Sequence, residues 1–219
     1  MTTDGPWLVV GLGNPGAQYA STRHNVGYLT LDVLASRDGA TLTSHRSRTH
    51  TADVRLGIGP GGVPGPRVIL ARSDSYINTS GGPISALASF HKIEPSRILV
   101  IHDDMDLPAH TLRLKVGGGE GGHNGLKSLT QHLGTRDYAR LRIGVGRPPG
   151  RMDPADYVLA PLPSKERPDW DVTFEQAADA AEEHGRGELD ELGDAAHQGD
   201  EHEPAQGDGH EALPAEVHE

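Results

Sequence analysis

The sequence contains no cysteine, and this absence removes several kinds of chemistry at once. Disulfide frameworks, thiolate metal sites and covalent thiol nucleophiles are all excluded. A chain without cysteine is also compatible with a reducing compartment. Any reaction carried out here must therefore use other side chains, among which the 13 histidines offer many candidate bases and many decoys.

Long apolar runs are missing as well. Stretches such as LVV and ILVI are far shorter than the roughly 20 residues that span a bilayer. The opening MTTDGPWLVV has no basic segment ahead of a long apolar one, so neither a secretory signal nor a membrane anchor is indicated. A chain of 219 residues has room for one ordinary domain plus an appendage. We expect a soluble cytoplasmic protein with no membrane partner.

Positive charge is scarce at the C-terminal end and concentrated elsewhere. Residues 180–219 carry 13 Asp or Glu against one Arg, whereas residues 113–151 carry eight Lys or Arg against two acidic residues. The acidic segment is too polar to offset its ordering entropy, so we predict a domain over residues 1–183 and a disordered acidic tail over residues 184–219. The basic stretch is the footprint of a polyanion such as nucleic acid, or else ordinary solvated charge spread over several faces.

Short apolar runs alternate with segments of helical spacing and predict a single-domain α/β fold, one sheet with helices on both faces. The GIGPGGVPGP loop between the second and third runs indicates a surface hairpin. The first helix is predicted from Thr22, a candidate N-cap, to Gly39. Further helices are predicted over residues 80–90, 126–133 and 171–183, and strands over residues 7–12, 52–56, 67–71, 98–101, 111–116 and 141–146.

The segment GLGNPG after the first strand matches the G-x-G-x-x-G pattern of dinucleotide-binding turns. Pro15, before the third glycine, opposes the helix that should begin there, and the acidic residue expected at the end of the second strand is missing. We therefore disfavour a nicotinamide cofactor. The alternative role of the loop is to hold the Asn14 side chain rigidly.

The strand at residues 98–101 opens directly onto HDDMD, which places His102 and Asp103 at the carboxyl edge of a central strand. One interpretation is a metal-dependent hydrolase that uses His102 and Asp104, whose activity would be sensitive to chelators. However, adjacent strand residues point to opposite faces, and no further element completes a zinc site. The competing interpretation is that Asp103 orients an imidazole elsewhere in the fold.

Three asparagines in glycine-rich turns accompany this carboxylate, at positions 14, 78 and 124. His24 in TRHN is the candidate imidazole because it closely follows the first glycine-rich loop, although a single histidine is more often a surface or core residue. Neutral amides with one imidazole suit water-mediated cleavage of a reactive acyl bond. The GGGEGGHNG loop resembles a phosphate cradle but lacks the Lys-Ser/Thr ending of a nucleoside triphosphate site.

In this order and spacing, the segments GLGNPG, TRHN, INTSG, HDDMDL, GGGEGGHNGLKS and RLRIGVGRP resemble bacterial peptidyl-tRNA hydrolase over residues 7–179. The resemblance implies a mixed twisted sheet sandwiched by helices. It also implies a monomeric esterase, independent of metals and cofactors, that releases peptides from tRNA after premature drop-off from the ribosome. Its partner would be peptidyl-tRNA, contacted at the acceptor stem, the 3′-terminal adenosine and the 5′-phosphate.

The resemblance further implies residue roles. His24 looks like the general base that activates water, and Asp103 like the carboxylate that orients His24 and raises its pKa from about 6.5. The amides that hold the peptide, the adenosine and the attacking water correspond to Asn14, Asn78 and Asn124. The same lining includes Tyr19, Tyr76 and His123. The clamp on the tRNA phosphates corresponds to Lys115 and Arg142, with Lys127 and Arg140 as helpers.

The chain departs from the family pattern at two places. Ile77 replaces the usual methionine before the second asparagine and keeps bulk while losing flexibility. After about Glu183, acidic and glycine-interrupted sequence largely replaces the last amphipathic helix of the family. An alternative function on the same fold is RNA binding without turnover, as in relatives that serve in organelle RNA splicing.

Overall fold

The structure is a computed structural model that describes residues 5–187. Within this range, seven strands form one sheet, and helices joined by short 3-10 turns pack around it. The strands are β1 (Trp7–Gly11), β2 (Thr43–His45), β3 (Thr49–Arg55), β4 (Arg67–Ser73), β5 (Ile98–Asp104), β6 (Leu112–Val116) and β7 (Ala139–Gly144). The α-helices are α1 (Val26–Arg37), α2 (Gly81–His91), α3 (Asn124–Leu133), α4 (Pro154–Leu159) and α5 (Arg167–Gly185).

The sheet has the strand order β2-β3-β4-β1-β5-β7-β6. Strands β4, β1, β5 and β7 run parallel, whereas β3 is antiparallel to both β2 and β4, and β6 is antiparallel to β7. The predicted α/β fold with a mixed sheet is therefore confirmed. The four parallel strands end at one edge, where the loops that follow β1 and β4 meet the end of β5, as is usual for binding sites in such sheets.

Alternating residues of the central strands contribute to two separate cores. Val9 of β1 belongs to the core that includes Phe174 of α5, whereas Val10 belongs to the core that includes Leu129 of α3. Successive side chains on a strand point to opposite faces, so each face of β1 has its own helical cover. Burial on both faces explains why these strands appear in the sequence as continuous apolar runs.

Several elements differ from the sequence predictions. The first helix begins at Val26 rather than at Thr22, because Arg23–Asn25 forms a separate 3-10 turn and the Thr22 hydroxyl donates to the carbonyl oxygen of Tyr19. The short elements β2 and α4 were not predicted. The hairpin predicted from the Gly/Pro loop is present as the antiparallel pair β3 and β4.

The C-terminal helix α5 continues to Gly185, beyond the domain boundary predicted at residue 183. His184 and Gly185 are both buried, so they belong to the packed domain. The remainder of the predicted tail, residues 188–219, lies outside the described residues. Across residues 5–187, we find no helix with the length and apolar character needed to cross a membrane.

Candidate active site

A cavity of about 870 Å³ opens at the carboxyl edge of the parallel strands. Its walls come from the loops after β1 and β4, the end of β5, the glycine-rich loop before α3, and α4. All the residues predicted for catalysis and substrate binding line it: His24, Asp103, Asn14, Tyr19, Tyr76, Asn78, His123 and Asn124. Residues far apart in the sequence therefore meet in one site.

Two glycines bring the first helix close to the end of the first strand. A Cβ atom at Gly11 would lie 2.4 Å from the carbonyl oxygen of Gly27, and one at Gly27 would lie 2.6 Å from the backbone nitrogen of Leu12. No larger residue fits at either position without moving the backbone. This close approach places the turn that carries His24 against the loop that carries Asn14.

The GLGNPG loop does not form a dinucleotide-binding turn. A pyrophosphate site of that kind needs a helix N-terminus directly after the glycines. Here the third glycine, Gly16, is followed by the 3-10 turns Ala17–Tyr19 and Arg23–Asn25, and α1 begins only at Val26. The loop instead fixes Asn14, which is buried and whose Oδ1 accepts a 2.8 Å hydrogen bond from the backbone N–H of Ile77.

His24 and Asp103 form a direct pair. The Nδ1 atom of His24 lies 2.8 Å from Oδ1 of Asp103, which is 3% exposed. A carboxylate only accepts hydrogen bonds, so Nδ1 carries the proton and Nε2 keeps its lone pair. Burial alone would lower the pKa of His24, but the charge of Asp103 and the hydrogen bond to it raise that pKa above its ordinary value of 6.5.

His123 holds the same carboxylate from the other side. Its Nε2 atom lies 2.9 Å from Oδ1 of Asp103, and its Nδ1 atom accepts hydrogen bonds from the backbone N–H groups of Gly125 and Leu126 at 3.1 and 3.3 Å. His123 is thus the N-cap of α3, a role usually taken by Ser, Thr, Asp or Asn. These contacts fix its tautomer, with the proton on Nε2.

The electrostatics of Asp103 follow from these two partners. Burial would raise the pKa of this carboxyl, but attraction to His24 and His123 and the hydrogen bonds from both hold its pKa well below the usual range. Asp103 is therefore ionised at neutral pH. The pKa of the neighbouring His102 is shifted away from that of His24. Burial and the proximity of His123 lower the pKa of His102 to about 3.

The metal interpretation based on His102 and Asp104 has no support in the geometry. The Nδ1 atom of His102 lies 2.7 Å from the carbonyl oxygen of Asp103, so it points along the backbone. The carboxylate of Asp104 accepts from Arg142 Nε and from the backbone N–H of Asp106, both at 2.8 Å. The Asp104 carboxylate is therefore engaged elsewhere, and although Nε2 of His102 is buried without a hydrogen-bond partner, no group of three metal-ligating side chains within residues 5–187 includes either residue.

A different trio, His24, Asp103 and His123, brings its ligand atoms within 4.8 Å of one another in the described part of the chain. His123 does not suit a metal, because its Nε2 carries the proton while its Nδ1 already faces two backbone N–H donors. A metal at Nε2 would require the proton to move to Nδ1 and the cap of α3 to break. The trio instead fits a hydrogen-bonded base and its supports.

The glycine-rich loop over residues 117–122 forms a second wall of the cavity. Gly117, Gly118, Gly121 and Gly122 all have positive φ, a conformation that other residues rarely adopt. The loop is tied down by Arg140, whose guanidinium donates to the carbonyl oxygens of Gly119 and Gly118 at 2.7 and 3.0 Å. An ion pair between Glu120 and Arg136, 2.8 Å long, forms a second tie.

The four basic residues predicted to contact tRNA lie in different environments. Lys115 is exposed and lines the cavity, and Arg142 lines it while paired with Asp104 at 2.8 Å. Lys127 is exposed on α3 but is not part of the lining. Arg140 lines the cavity, yet it is only 2% exposed and stacks 4.6 Å from the Tyr138 ring centroid. Its charge is therefore directed into the protein.

Sequence reasoning missed several residues of the site. Asn25 is buried beside Asn14, and its side chain bonds the Asn14 backbone. Arg23 donates to the carbonyl oxygens of Ala160 and Pro161 at 3.3 and 3.1 Å, and thereby ties the His24 turn to the segment after α4. The unpredicted α4 supplies Val158 and other apolar lining residues. The proximity of Asn25 to His24 in the sequence was the only available signal.

The fold and the site together define a class of protein. It is a single-domain α/β protein in which a histidine held by a buried carboxylate shares a cavity with side-chain amides, the groups needed to activate water and to bind a carbonyl oxygen.

Comparison with known proteins identifies the family. A family model described as peptidyl-tRNA hydrolase matches residues 8–203. The chain is 56% identical to the peptidyl-tRNA hydrolase of Kineococcus radiotolerans over 177 residues, which cover 81% of this chain and 89% of that relative. The corresponding protein of Frankia alni is 55% identical over 181 residues, 83% of this chain and 88% of the relative.

A solved structure agrees with this assignment. The crystal structure of peptidyl-tRNA hydrolase from Acinetobacter baumannii matches with a TM-score of 0.75 and 34% sequence identity, covering 86% of this chain and 93% of that one. The chain belongs to the peptidyl-tRNA hydrolase family, and it is accordingly a hydrolase.

Proposed function

We propose that this chain hydrolyses the ester bond between a peptide and the terminal ribose of tRNA, with His24 as the general base. The observation that carries this proposal is the 2.8 Å contact between His24 Nδ1 and Asp103 Oδ1 inside a cavity lined by three asparagines. Membership of the family supports the choice of substrate. We propose further that the protein acts in the cytoplasm, where peptidyl-tRNA arises, and as a monomer.

In the proposed reaction, the oxygen of a water molecule attacks the carbonyl carbon of the ester while His24 Nε2 accepts one proton of that water. Asp103 stabilises the imidazolium that forms. When the tetrahedral intermediate collapses, the bond from the carbonyl carbon to the ribose oxygen breaks, and His24 returns the proton to that oxygen. The products are a peptide with a free carboxyl group and a tRNA with a free ribose hydroxyl.

The side-chain amides would position the substrate. We assign three tasks jointly to Asn14, Asn78 and Asn124, without dividing the tasks among them. These tasks are to bind the peptide, to bind the 3′-terminal adenosine and to hold the attacking water. The exposure of Asn78 and Asn124 within the cavity lining leaves them accessible to a ligand. Tyr19 and Tyr76 stand edge to face with ring centroids 6.2 Å apart, and they add aromatic surface to the same lining.

On the RNA side, Lys115 and Arg142 would bind the 5′-phosphate and the acceptor stem, since both line the cavity. Exposed Lys127 would add long-range attraction for the phosphate backbone. For Arg140 we propose a different role, that of holding the glycine-rich loop, because its guanidinium already donates to two loop carbonyl oxygens.

The direct test is incubation with N-blocked aminoacyl-tRNA, with and without EDTA. We expect the wild type to cleave the ester equally well with and without EDTA. The rate of His24→Ala should be lower by a factor of about 10² to 10⁴, the usual contribution of a general base. His91→Ala, on α2 and away from the cavity, is the matched control. Loss of cleavage in EDTA would favour a metal-dependent hydrolase, and tRNA binding without cleavage by the wild type would favour a non-catalytic RNA-binding protein.

A further inference from the structure

Asn25 holds the backbone of Asn14 by a reciprocal pair of hydrogen bonds. Its Nδ2 donates to the carbonyl oxygen of Asn14, and its Oδ1 accepts from the backbone N–H of Asn14, both at 2.9 Å. Asn25 is only 1% exposed, so water does not compete for these bonds. The side chain thereby satisfies both polar backbone groups of a residue in an irregular loop, which otherwise lacks secondary-structure partners.

The side chain of Asn14 is fixed at a third point. Its Oδ1 accepts from the backbone N–H of Ile77 at 2.8 Å, and only the oxygen end of the amide can accept that bond. The amide orientation is therefore assigned, with Nδ2 as the end that remains for another partner. Because Asn14 lines the cavity, Nδ2 can donate to a hydrogen-bond acceptor that binds there.

We propose that Asn25 is a positioning residue that holds Asn14 so that its Nδ2–H donates to the carbonyl oxygen of the ester as negative charge develops there. This inference rests on the proposed function and extends it by assigning the direction of one hydrogen bond. A donor fixed before the reaction stabilises the transition state without having to reorganise. The three bonds on Asn14 provide that fixation.

The expected size of the effect follows from two kinds of loss. Removing a donor to a developing oxyanion lowers kcat by about 10² to 10³. Misplacing such a group by about 1 Å lowers the rate by up to roughly 10². We therefore expect Asn14→Ala to lose about 10² to 10³ in kcat, and Asn25→Ala to lose about 10 to 10², with KM for peptidyl-tRNA changed by less than about threefold.

A double-mutant cycle separates positioning from mere structural support. If Asn25 acts through Asn14, the double variant Asn14→Ala/Asn25→Ala cleaves no more slowly than Asn14→Ala alone. The acid limb of the pH profile of Asn25→Ala also stays at the wild-type midpoint, because the pair of His24 and Asp103 is untouched. Single-turnover cleavage of N-blocked aminoacyl-tRNA measures both quantities.

Thr30→Val is the matched control, because Thr30 is also buried and its hydroxyl donates to the carbonyl oxygen of Val26 in α1. It should lower the midpoint of thermal unfolding and leave kcat within about twofold. If Asn25→Ala does not fold, Asn25→Ser replaces it in the cycle, since its hydroxyl keeps one hydrogen-bonding group with less bulk.

Two results would overturn the inference. One is a double variant whose loss is the product of the single losses, and the other is an Asn25 variant that keeps wild-type kcat while its thermal unfolding midpoint falls. Failure of the proposed function is distinguishable from both, because it appears as absent cleavage in the wild type or as full cleavage in His24→Ala.

Discussion

The two walls of the cavity are held by different forces. The β1 wall, residues 11–25, is fixed by neutral hydrogen bonds between a buried amide and the backbone, at 2.9 Å each. The glycine wall, residues 117–124, has four positive-φ glycines, and cationic side chains from the region around β7 tie it down. Neutral buried bonds are insensitive to salt, whereas the exposed ion pair between Glu120 and Arg136 is screened by it.

This difference indicates a division of labour. The β1 wall carries the proposed base, His24, and the oriented amide of Asn14, so it holds the groups whose placement the reaction requires. The glycine wall follows Lys115 along the chain and ends at His123 and Asn124, so it links the proposed RNA contact to the residues around the proposed base. The contrast predicts that variants of the first wall lower kcat, whereas variants that release the second chiefly raise KM.

The largest effect should come from the carboxylate that both walls share. Asp103→Asn removes the negative charge that raises the pKa of His24 and leaves a neutral amide as its hydrogen-bond partner, while burial, which lowers the pKa, remains. We expect kcat/KM to fall by about 10² to 10⁴. In the wild type, kcat/KM should decline as the pH falls through the raised pKa of His24, with a midpoint above 6.5. In the variant that midpoint should move down.

A pH–rate profile from pH 5 to 9 measures both effects. An unchanged midpoint in Asp103→Asn would mean that a group other than His24 controls the acid limb. Asp106→Asn is the control, because it neutralises another carboxylate close in the sequence. The side chain of Asp106 is exposed and pairs with Arg147.

An intermediate effect should follow from releasing the glycine wall. Arg140→Met removes both hydrogen bonds to the carbonyl oxygens of Gly118 and Gly119, and we expect kcat/KM to fall about tenfold, chiefly through KM. Arg140→Lys should recover only part of this loss, because an ammonium group does not reproduce the two-pronged guanidinium contact.

The salt dependence of binding decides between the two roles of Arg140. If it holds the loop, the slope of log affinity against log salt stays at the wild-type value in Arg140→Met. A slope smaller by about one would instead show a direct phosphate contact, as first expected from the sequence.

Lys115→Ala should show the complementary behaviour. This exposed lysine is the candidate phosphate contact of the cavity, so its loss should raise KM by about three- to tenfold, reduce the salt slope by about one and leave kcat near the wild-type value. Lys165→Ala, an exposed lysine before α5, is the charge-matched control. A fall in kcat without a change of slope would assign Lys115 to the chemistry instead.

The smallest effect concerns charge beyond the described residues. Residues 188–219 hold 11 Asp or Glu and no Lys or Arg. Truncation after Gly187, which keeps all of α5, should raise tRNA affinity a few-fold at low salt and have little effect at high salt, because like charge repels the phosphates over about a Debye length. Equal affinities of both forms across a salt titration would rule out this repulsion.

Much of the fold could be predicted because it depends on local patterns. The apolar run at residues 98–101 predicted β5, and the polar residues after it marked the edge where the cavity lies. Strand order depends on pairing between distant segments, such as Leu99 with Ala139, which no local pattern encodes. The three-residue β2 and six-residue α4 were too short to show a periodicity.

The site was predictable for a different reason. The residues brought together in the cavity follow strands or glycine loops, so their motifs mark them in the sequence. Asn25 was missed because it acts on backbone atoms, which every residue has. Arg140 was grouped with the RNA contacts because a guanidinium suits a carbonyl oxygen and a phosphate oxygen equally well. Only the three-dimensional arrangement shows that two loop carbonyl oxygens already occupy it.

One oxygen atom, Oδ1 of Asp103, accepts hydrogen bonds from rings that stand 79 positions earlier and 20 positions later in the chain. During its own synthesis, this protein is itself a polypeptide esterified to tRNA. The contacts of Asp103 with His24, the proposed base, and with His123 are both complete only after residue 123 has left the ribosome. We therefore expect a nascent copy to complete the proposed site only after most of its length has been translated.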